Sequence, residues 1–358
     1  MVTGNKGEWS EVYTLLKIIA DKQLFAGDSN LNKIESLIFP IIKVLRDESN
    51  GTFEFGYEND LVIVKNNAEE FRIPIISFQE HAGFLLTKLK EKTNATFSIP
   101  EIETFINSFN SHSLKAKSSV KSDIRIVIHD QRTNTNPELG FSIKSQLGGA
   151  STLLNAGQTT NFAYKINNLS LTTDQIAEIN AIDTRSKIKD RIEKIKELNG
   201  KLLFDKPKSS VFENNLVLID SALPRIVAEM LFLFFTSDYS KVSDLVSEIS
   251  TKNPLGYNLE SKHPFYSYKI KRFLTDVALG MMPSKVWTGE LDATGGYLVV
   301  KTNGDVLCYH IYNRNEFENY LFENTKLETA SSSRHGFGTV YKEKDELYFN
   351  LNLQIRFL

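Results

Sequence analysis

An aspartate and a lysine in neighbouring apolar runs are the residues best placed to do chemistry. Asp123 immediately precedes IRIVI (124–128), and Ser142, Lys144 and Gln146 alternate along FSIKSQL (141–147). Eighteen residues separate Asp123 from Ser142, enough for both runs and for the turn-rich HDQRTNTNPELG between them. Side chains alternate faces along a strand, so Ser142, Lys144 and Gln146 point the same way. If the two runs pair as a hairpin, Asp123 can sit across from that face. An acid and a lysine on adjacent strands are the minimum set for metal-dependent hydrolysis of a phosphodiester. That reaction needs a divalent cation to offset charge on the phosphate and activate water, and a second positive group near the nucleophile. Magnesium is a hard ion that takes carboxylate, carbonyl and water oxygens, and it suits such a set.

The elements that must position these residues can be read from periodicity. Residues 8 to 21 read as a helix, with Val12, Leu15, Leu16 and Ile19 at helical spacing. Residues 31 to 46 read as a second, with Ile34, Leu37, Ile38, Ile41, Ile42 and Leu45 in register and Pro40 kinking or splitting it. TFEFGYE, an Asn59-Asp60 turn and LVIVK read as a strand pair. Helices follow over 79–91 and over 100–109, the latter opened by Pro100. SHSLKAKSSVKSD is a small, polar, basic linker leading to Asp123. Beyond the IRIVI and FSIKSQL strands, TNFAYKI (160–166) is a third, residues 171–198 form a charged helical stretch, and 216–249 make two helices, the first strongly buried. Gly295-Gly296-YLVV, the turn KTNGD and VLCYHIY form a hairpin signalled by Asn303-Gly304. A short helix (315–322), the polar loop ETASSSRHGFG and the strands TVY and LYFNLNLQIRF complete the chain.

Composition narrows the function classes. The 358 residues carry 42 basic and 44 acidic side chains, so no global positive field argues for nucleic acid and any DNA contact must rest on local patches. Cys308 is the only cysteine, which excludes an internal disulfide framework and a cysteine-rich zinc site. The six histidines are scattered without HExxH or paired spacing. No secretory signal opens the sequence, and the most apolar stretch, Ile226 to Phe235, contains Glu229 and is too short to span a bilayer. A cytoplasmic protein is expected.

Asp123…Ser142-Ile143-Lys144 resembles a degenerate PD-(D/E)XK nuclease signature, with Ser142 in place of the second acid. Longer blocks, GNKGEWSEVYTLLKI, SDIRIVI, GFSIKSQLGGASTLLNAGQTTNFAYKI and ENTKLETASSSRHGFGTVY, resemble the HpaII-type restriction endonucleases, and they run from near the first residue to near the last. The resemblance implies a bacterial type II endonuclease that cuts duplex DNA within CCGG using Mg2+. Asp123 would be the metal-binding acid, the Ile143 carbonyl a second metal ligand, and Lys144 the group that orients the attacking water. Ser142 leaves a carboxylate missing. Lys6-Gly7-x-x-x-Glu11 is similar to the helix-borne glutamate motif of some PD-(D/E)XK nucleases, notably the archaeal junction resolvases, which makes Glu11 the candidate replacement. Glu11 lies four residues before Leu15, beside the apolar stripe, where an unpaired carboxylate is costly. Glu8 shares nearly the same face, and Glu138 in the turn is a third possibility.

Other polar residues have plainer readings. Asp130 heads a turn-forming Asp-Gln-Arg-Thr run, His129 ends a strand, and Cys308 reads as a small core residue. Two basic stretches are candidate phosphate tracks: Lys115, Lys117, Lys121 and Arg125, and Lys262, Lys269, Lys271 and Arg272 interleaved with aromatics. Guanine readout calls for arginine or similar donors, for which Arg314, Arg334 and the adjacent His335 are candidates, with Gln146 also on a face that can meet DNA.

The expected architecture is a mixed-sheet α/β nuclease core over 116–200, flanked by helices. Residues 1–115 would donate a helix to the active site, 201–282 would be helical, and 283–358 would be β-rich and involved in recognition. A palindromic target makes a two-fold homodimer the natural arrangement, with a monomer nicking each strand in turn as the alternative, and the resemblance implies a cognate methyltransferase that protects the host. A structure-selective repair or junction nuclease, or a DNA-binding protein with a decayed site, are the competing classes.

Overall fold

The structure, a computed structural model, describes residues 2–67, 69–116, 122–131, 133–291 and 294–358. It is a mixed α/β structure organised as two compact units: residues 1–151 with 291–320, and residues 152–290 with 321–358. Among the described residues no helix is long and apolar enough to cross a membrane.

In the first unit the chain runs α1 (Lys6–Asp21), β1 (Gln23–Gly27), β2 (Lys33–Glu48), β3 (Gly51–Glu58), β4 (Leu61–Asn66), β5 (Glu69–Pro74), α2 (Ile75–Glu91), α3 (Pro100–Asn107), β6 (Ile124–Ile128) and β7 (Glu138–Ser145). The second unit contributes β8 (Thr152–Leu154), β9 (Asn161–Asn167), α4 (Thr173–Ala181), α5 (Lys187–Glu197), β10 (Lys201–Pro207), α6 (Ser210–Ile219), α7 (Leu223–Thr236), α8 (Val242–Lys252) and α9 (Phe265–Leu279). The chain then returns to the first unit as β11 (Gly296–Val300), β12 (Val306–His310) and the first turns of α10 (Arg314–Glu323). It ends in the second with β13 (Thr325–Leu327), α11 (Ser332–His335), β14 (Val340–Glu343), β15 (Glu346–Asn352) and β16 (Ile355–Phe357).

Nine strands of the first unit form one sheet in the order β1-β12-β11-β7-β6-β2-β3-β4-β5, and β1 also pairs with β2. The segment expected as a helix over 31–46 is strand β2. Its first half pairs with β1 and its second with β6 and β3, closing a ring of strands. Dense β-branching (Ile34, Ile38, Ile41, Ile42, Val44) and a proline that a helix interior rejects both favour the strand. Pro40 sits where the ladder changes partner: the Ile41 N–H reaches Lys22 O and the His129 N–H reaches Pro40 O, so the missing proline donor is not needed. Apolar residues on both faces of this strand coincide with helical periodicity.

One face of the sheet packs under α1, α2 and α3 in a core that includes Trp9, Leu16, Phe55, Phe78, Leu85, Ile126, Phe141 and Leu298. The hairpin expected at Asn303-Gly304 joins β11 to β12. Gly304 has φ +97°, and a Cβ there would lie 2.4 Å from the Leu86 side chain, so only glycine fits. On the opposite face Tyr297 packs edge-on against Phe317 of α10, and Tyr309 stacks on Tyr320.

In the second unit β10-β9-β15-β14 is antiparallel and β13-β16-β8 forms a small sheet. The charged stretch 171–198 is two helices, α4 and α5, and 210–252 is three, of which α7 is buried along most of its length.

A candidate active site at the end of the β6–β7 hairpin

Strands β6 and β7 pair antiparallel with Ile124 opposite Phe141, and the Asp123 N–H donates to Phe141 O at 3.0 Å. Continuing that register puts Asp123 across from Ser142, and opposed residues share a face, so Asp123, Ser142 and Lys144 lie on one side of the sheet. Asp123 stands just ahead of the first residue of β6, and its carboxylate extends the ladder past the strand: its Oδ2 accepts the Ile143 N–H at 2.6 Å. A strand residue presents its N–H and C=O toward the same edge. The Ile143 carbonyl therefore faces the edge at which the Asp123 carboxylate lies. Lys144 follows, its Nζ 5.0 Å from the ring centroid of Tyr297 on β11, the strand paired in parallel with β7. Burial pulls the Lys144 ammonium below the usual lysine value, while Asp123 and Glu11 pull it back up.

Helix α1 brings Glu11 to this edge. The helix is buried on most sides and anchored at several points. Trp9 Nε1 donates to Phe97 O at 3.0 Å, and Ser10 Oγ meets Ser145 Oγ of β7 at 2.8 Å. Glu11 Oε2 accepts the Ala116 N–H at 3.3 Å. Burial, and then the Asp123 charge, push the Glu11 carboxyl up to about 7, against the opposing pull of Arg46 and the Ala116 N–H. Glu11 is thus a partly buried carboxyl that also feels the charge of Asp123.

The three candidates for the missing acid occupy different environments. Glu8 closes the capping box of α1: Asn5 Oδ1 accepts the Glu8 N–H at 3.0 Å, and Glu8 Oε2 accepts the Asn5 N–H at 2.9 Å. Glu8 Oε1 also pairs with Lys115 at 2.9 Å, and these bonds hold its carboxyl below the usual range. Glu138 pairs with Arg125 at the far end of β7. Glu11 is the one whose charge interacts with Asp123.

Periodicity does not point to Arg46, because its segment carries a helical pattern in the sequence and a strand in the structure. Strand alternation places it with Val44 on the inner face, where its side chain is 2% exposed. Its Nη1 lies 3.4 Å from Glu48 Oε1, and neither Nη atom has a hydrogen-bond partner. Glu48 is held in turn by Ser111 Oγ at 2.6 Å and the His112 N–H at 3.3 Å. Burial lowers the guanidinium's proton affinity, and Glu48, Glu11 and Asp123 oppose it, so Arg46 is the buried counter-charge beneath the carboxylate pair.

The remaining candidates are dispersed. Gln146 is exposed just past β7, its N–H bonded to Val300 O at 2.9 Å. Arg314 pairs with Glu318 at 2.6 Å in the first unit, whereas Arg334 and His335 lie on α11 of the second. Asp130 accepts from Thr133 Oγ1 at 3.0 Å and bridges to Thr135, a turn role. Lys117 and Lys121 lie outside the described residues.

The family model for the HpaII restriction endonuclease matches residues 5–357. The chain belongs to that family. It is 51% identical over 359 residues to the type II restriction enzyme HpaII of Haemophilus parainfluenzae, covering 99% of each chain. No solved structure matches it. The enzyme is a type II restriction endonuclease, a site-specific deoxyribonuclease whose substrate is double-stranded DNA, and enzymes of this type need divalent metal ions.

The donors at the β6–β7 edge fit such an ion. Among the described residues no group of three or more His, Cys, Asp or Glu is arranged to hold a metal. Two carboxylates and a backbone carbonyl are all oxygen donors, the kind a hard cation takes, and water would complete the shell. Burial first, and the Asp123 charge second, raise the proton affinity of Glu11, and a bound cation would offset both.

Proposed function

We propose that the enzyme hydrolyses one phosphodiester in each strand of CCGG, with Mg2+ held by Asp123, Glu11 and the Ile143 carbonyl. The observation that carries this is the meeting of a helix-borne acid with Asp123 beside Lys144, since Ser142 contributes no carboxylate of its own. Mg2+, when bound, supplies charge neutralisation at the phosphate and acidifies water. Lys144, on the same face as Asp123, orients the attacking water and offsets charge that develops on the phosphate oxygens. Water attacks phosphorus in line, leaving 5′-phosphate and 3′-hydroxyl ends without a covalent protein intermediate. Asp123 does two jobs: one carboxylate oxygen fixes the backbone of Ile143, and the carboxylate charge faces Glu11. Ser142, opposite Asp123, lines the site with a neutral hydroxyl.

The CCGG target follows from the resemblance to the HpaII-type enzymes. A palindromic target favours a two-fold homodimer, and a matching methyltransferase would protect a host whose cytoplasm holds the enzyme. Digesting a sequenced plasmid with Mg2+, with and without EDTA, tests the reading. Fragments ending at every CCGG that vanish with EDTA are expected, and cutting at other sites would refute the target. Lys144→Ala is expected to abolish cutting while retaining DNA binding. Loss of both together would assign Lys144 a structural role.

A further inference from the structure

The cavity beside Glu11 and Lys144 has a volume of about 710 Å3, larger than one metal ion and one phosphate require. Besides Glu11, Ile143 and Lys144 its lining includes Lys6, Lys90, Lys92, Asn94, Gly148 and Gly149. We propose that this groove is a phosphate track, holding the backbone phosphates that neighbour the scissile one in duplex DNA. The proposal rests on the reading of Asp123, Glu11 and Lys144 as the cleavage site, and extends it along the substrate strand.

The argument is one of unneutralised charge. In the basic stretches that look most suitable in the sequence, three of the cations are already held in ion pairs. Lys115 is bound to Glu8, Arg125 to Asp47 and Glu138, and Lys269 to Asp220. Lys6, Lys90 and Lys92 have no carboxylate within ion-pair distance among the described residues, although Lys88 one turn earlier is paired with Glu91 at 3.0 Å. Lys92 Nζ lies 5.9 Å from the Phe97 ring centroid, which orders its stem without cancelling its charge. Lys6 is fixed differently: a Cβ at Gly148 would come 3.2 Å from the Lys6 Cβ, so the glycine lets the loop after β7 close against the start of α1. A Cβ at Gly149 would meet nothing within 4 Å, leaving open room at that backbone for a ligand. Three lysines on flexible stems are point charges that recognise phosphate and carry no base code. Duplex DNA is the polyanion this enzyme must align, and the same cavity is lined by Glu11, Ile143 and Lys144 of the cleavage site.

Salt dependence of DNA binding reads this directly. Each lost phosphate contact lowers the slope of log K against log salt by about 0.9, or roughly 3.5-fold in the affinity lost between about 50 and 200 mM salt. Wild-type enzyme and Lys90→Ala/Lys92→Ala would be titrated with a CCGG duplex and a scrambled duplex in EDTA, which prevents cutting. For the double variant the expected slope falls by about 1.8, with both duplexes weakened alike and their affinity ratio unchanged. Lys17→Ala removes a lysine paired with Asp21 on α1 and is expected to leave the slope unaltered. An unchanged slope in the double variant overturns the proposal. So does a weakened affinity that comes with a lower melting temperature and no slope change, since that would mark a structural role at the end of α2. Failure of the cleavage reading is seen separately, as cutting that survives Lys144→Ala.

Discussion

Replacing Glu11 by glutamine should stabilise the protein at alkaline pH while destroying its response to metal. The Glu11 carboxyl titrates at about 7 in the folded protein against an ordinary 4.5, chiefly through burial and then the charge of Asp123. Between those values the folded protein keeps a proton that the unfolded chain has released. Stability therefore falls as pH rises through this window and stays reduced above it. At about 1.4 kcal/mol for each tenfold difference in proton affinity, the ionised Glu11 costs the fold on the order of 3 kcal/mol above pH 7. Glu11→Gln keeps the size and removes the charge. In EDTA its unfolding free energy should exceed that of the wild type by up to about 3 kcal/mol near pH 8 and by about 1 kcal/mol or less near pH 5. Urea unfolding followed by circular dichroism at the two pH values measures both. Mg2+ should raise the wild-type melting temperature near pH 8, because it removes the same penalty, and should leave the variant unmoved. Glu8→Gln provides the opposite sign: its amide oxygen can still close the capping box, but the negative charge at the helix N-terminus and the Lys115 pair are lost, which should cost about 0.3–1 kcal/mol. The reasoning is refuted if Glu11→Gln is destabilising at both pH values, or if its effect does not grow with pH.

Arg46→Met leaves Glu48 buried without its counter-charge and should cost about 3–5 kcal/mol in urea unfolding. Adding Glu48→Gln should recover part of that loss, and a double variant as damaged as the sum of the singles would show that the two charges do not interact. Asn5→Ala removes the cap of α1 and should cost about 1 kcal/mol. Because α1 carries Glu11, a calorimetric titration of that variant should also show weaker Mg2+ binding, and unchanged metal affinity would detach the metal site from the helix.

The parts of the fold that announced themselves in the sequence are those whose pattern is local. The Asn303-Gly304 hairpin, the β6 and β7 strands and helix α1 all lie where periodicity and turn residues place them. Strand β2 was hidden because apolar residues stand on both of its faces, so that positions 34, 37, 38, 41, 42 and 45 fit a helix equally well, although Ile42 is exposed. The arrangement around the hairpin was hidden for a different reason. Strand β11 pairs in parallel with β7, Gly296 against Phe141, although the residues of the second unit intervene. No local pattern reports a partner so distant in the chain. At the candidate site, spacing singled out Asp123 and Lys144, and the helical stripe together with the family resemblance singled out Glu11. Glu8 could not be separated from Glu11 until the capping box claimed it. Arg46 was lost with the misread strand. That Lys90 and Lys92 have no carboxylate within ion-pair distance among the described residues is a property of where acids lie in space, which composition does not encode.

Charge balance explains why such a site is built from groups that strain the fold. On the reading proposed above, Glu11, Asp123 and Glu48 face Arg46 and Lys144, three carboxylates against two cations. The protein alone resolves the excess by raising the proton affinity of Glu11, whose carboxyl interacts with Asp123, rather than that of the well-bonded Glu8. One divalent cation turns the deficit into a surplus of one, and one phosphodiester brings the cluster to neutrality. Each component is thus held most favourably only when all are present, which is the condition for spending binding energy at the reacting phosphate and not on the free enzyme. Arg46 belongs to this balance although it touches no substrate. Buried and without hydrogen-bond partners at either Nη, it supplies positive charge from below without occupying the oxygen-donor edge that the metal needs. A lysine at that position, carrying a compact and strongly hydrated charge, would be harder to bury there, so Arg46→Lys should conserve formal charge and still lose stability.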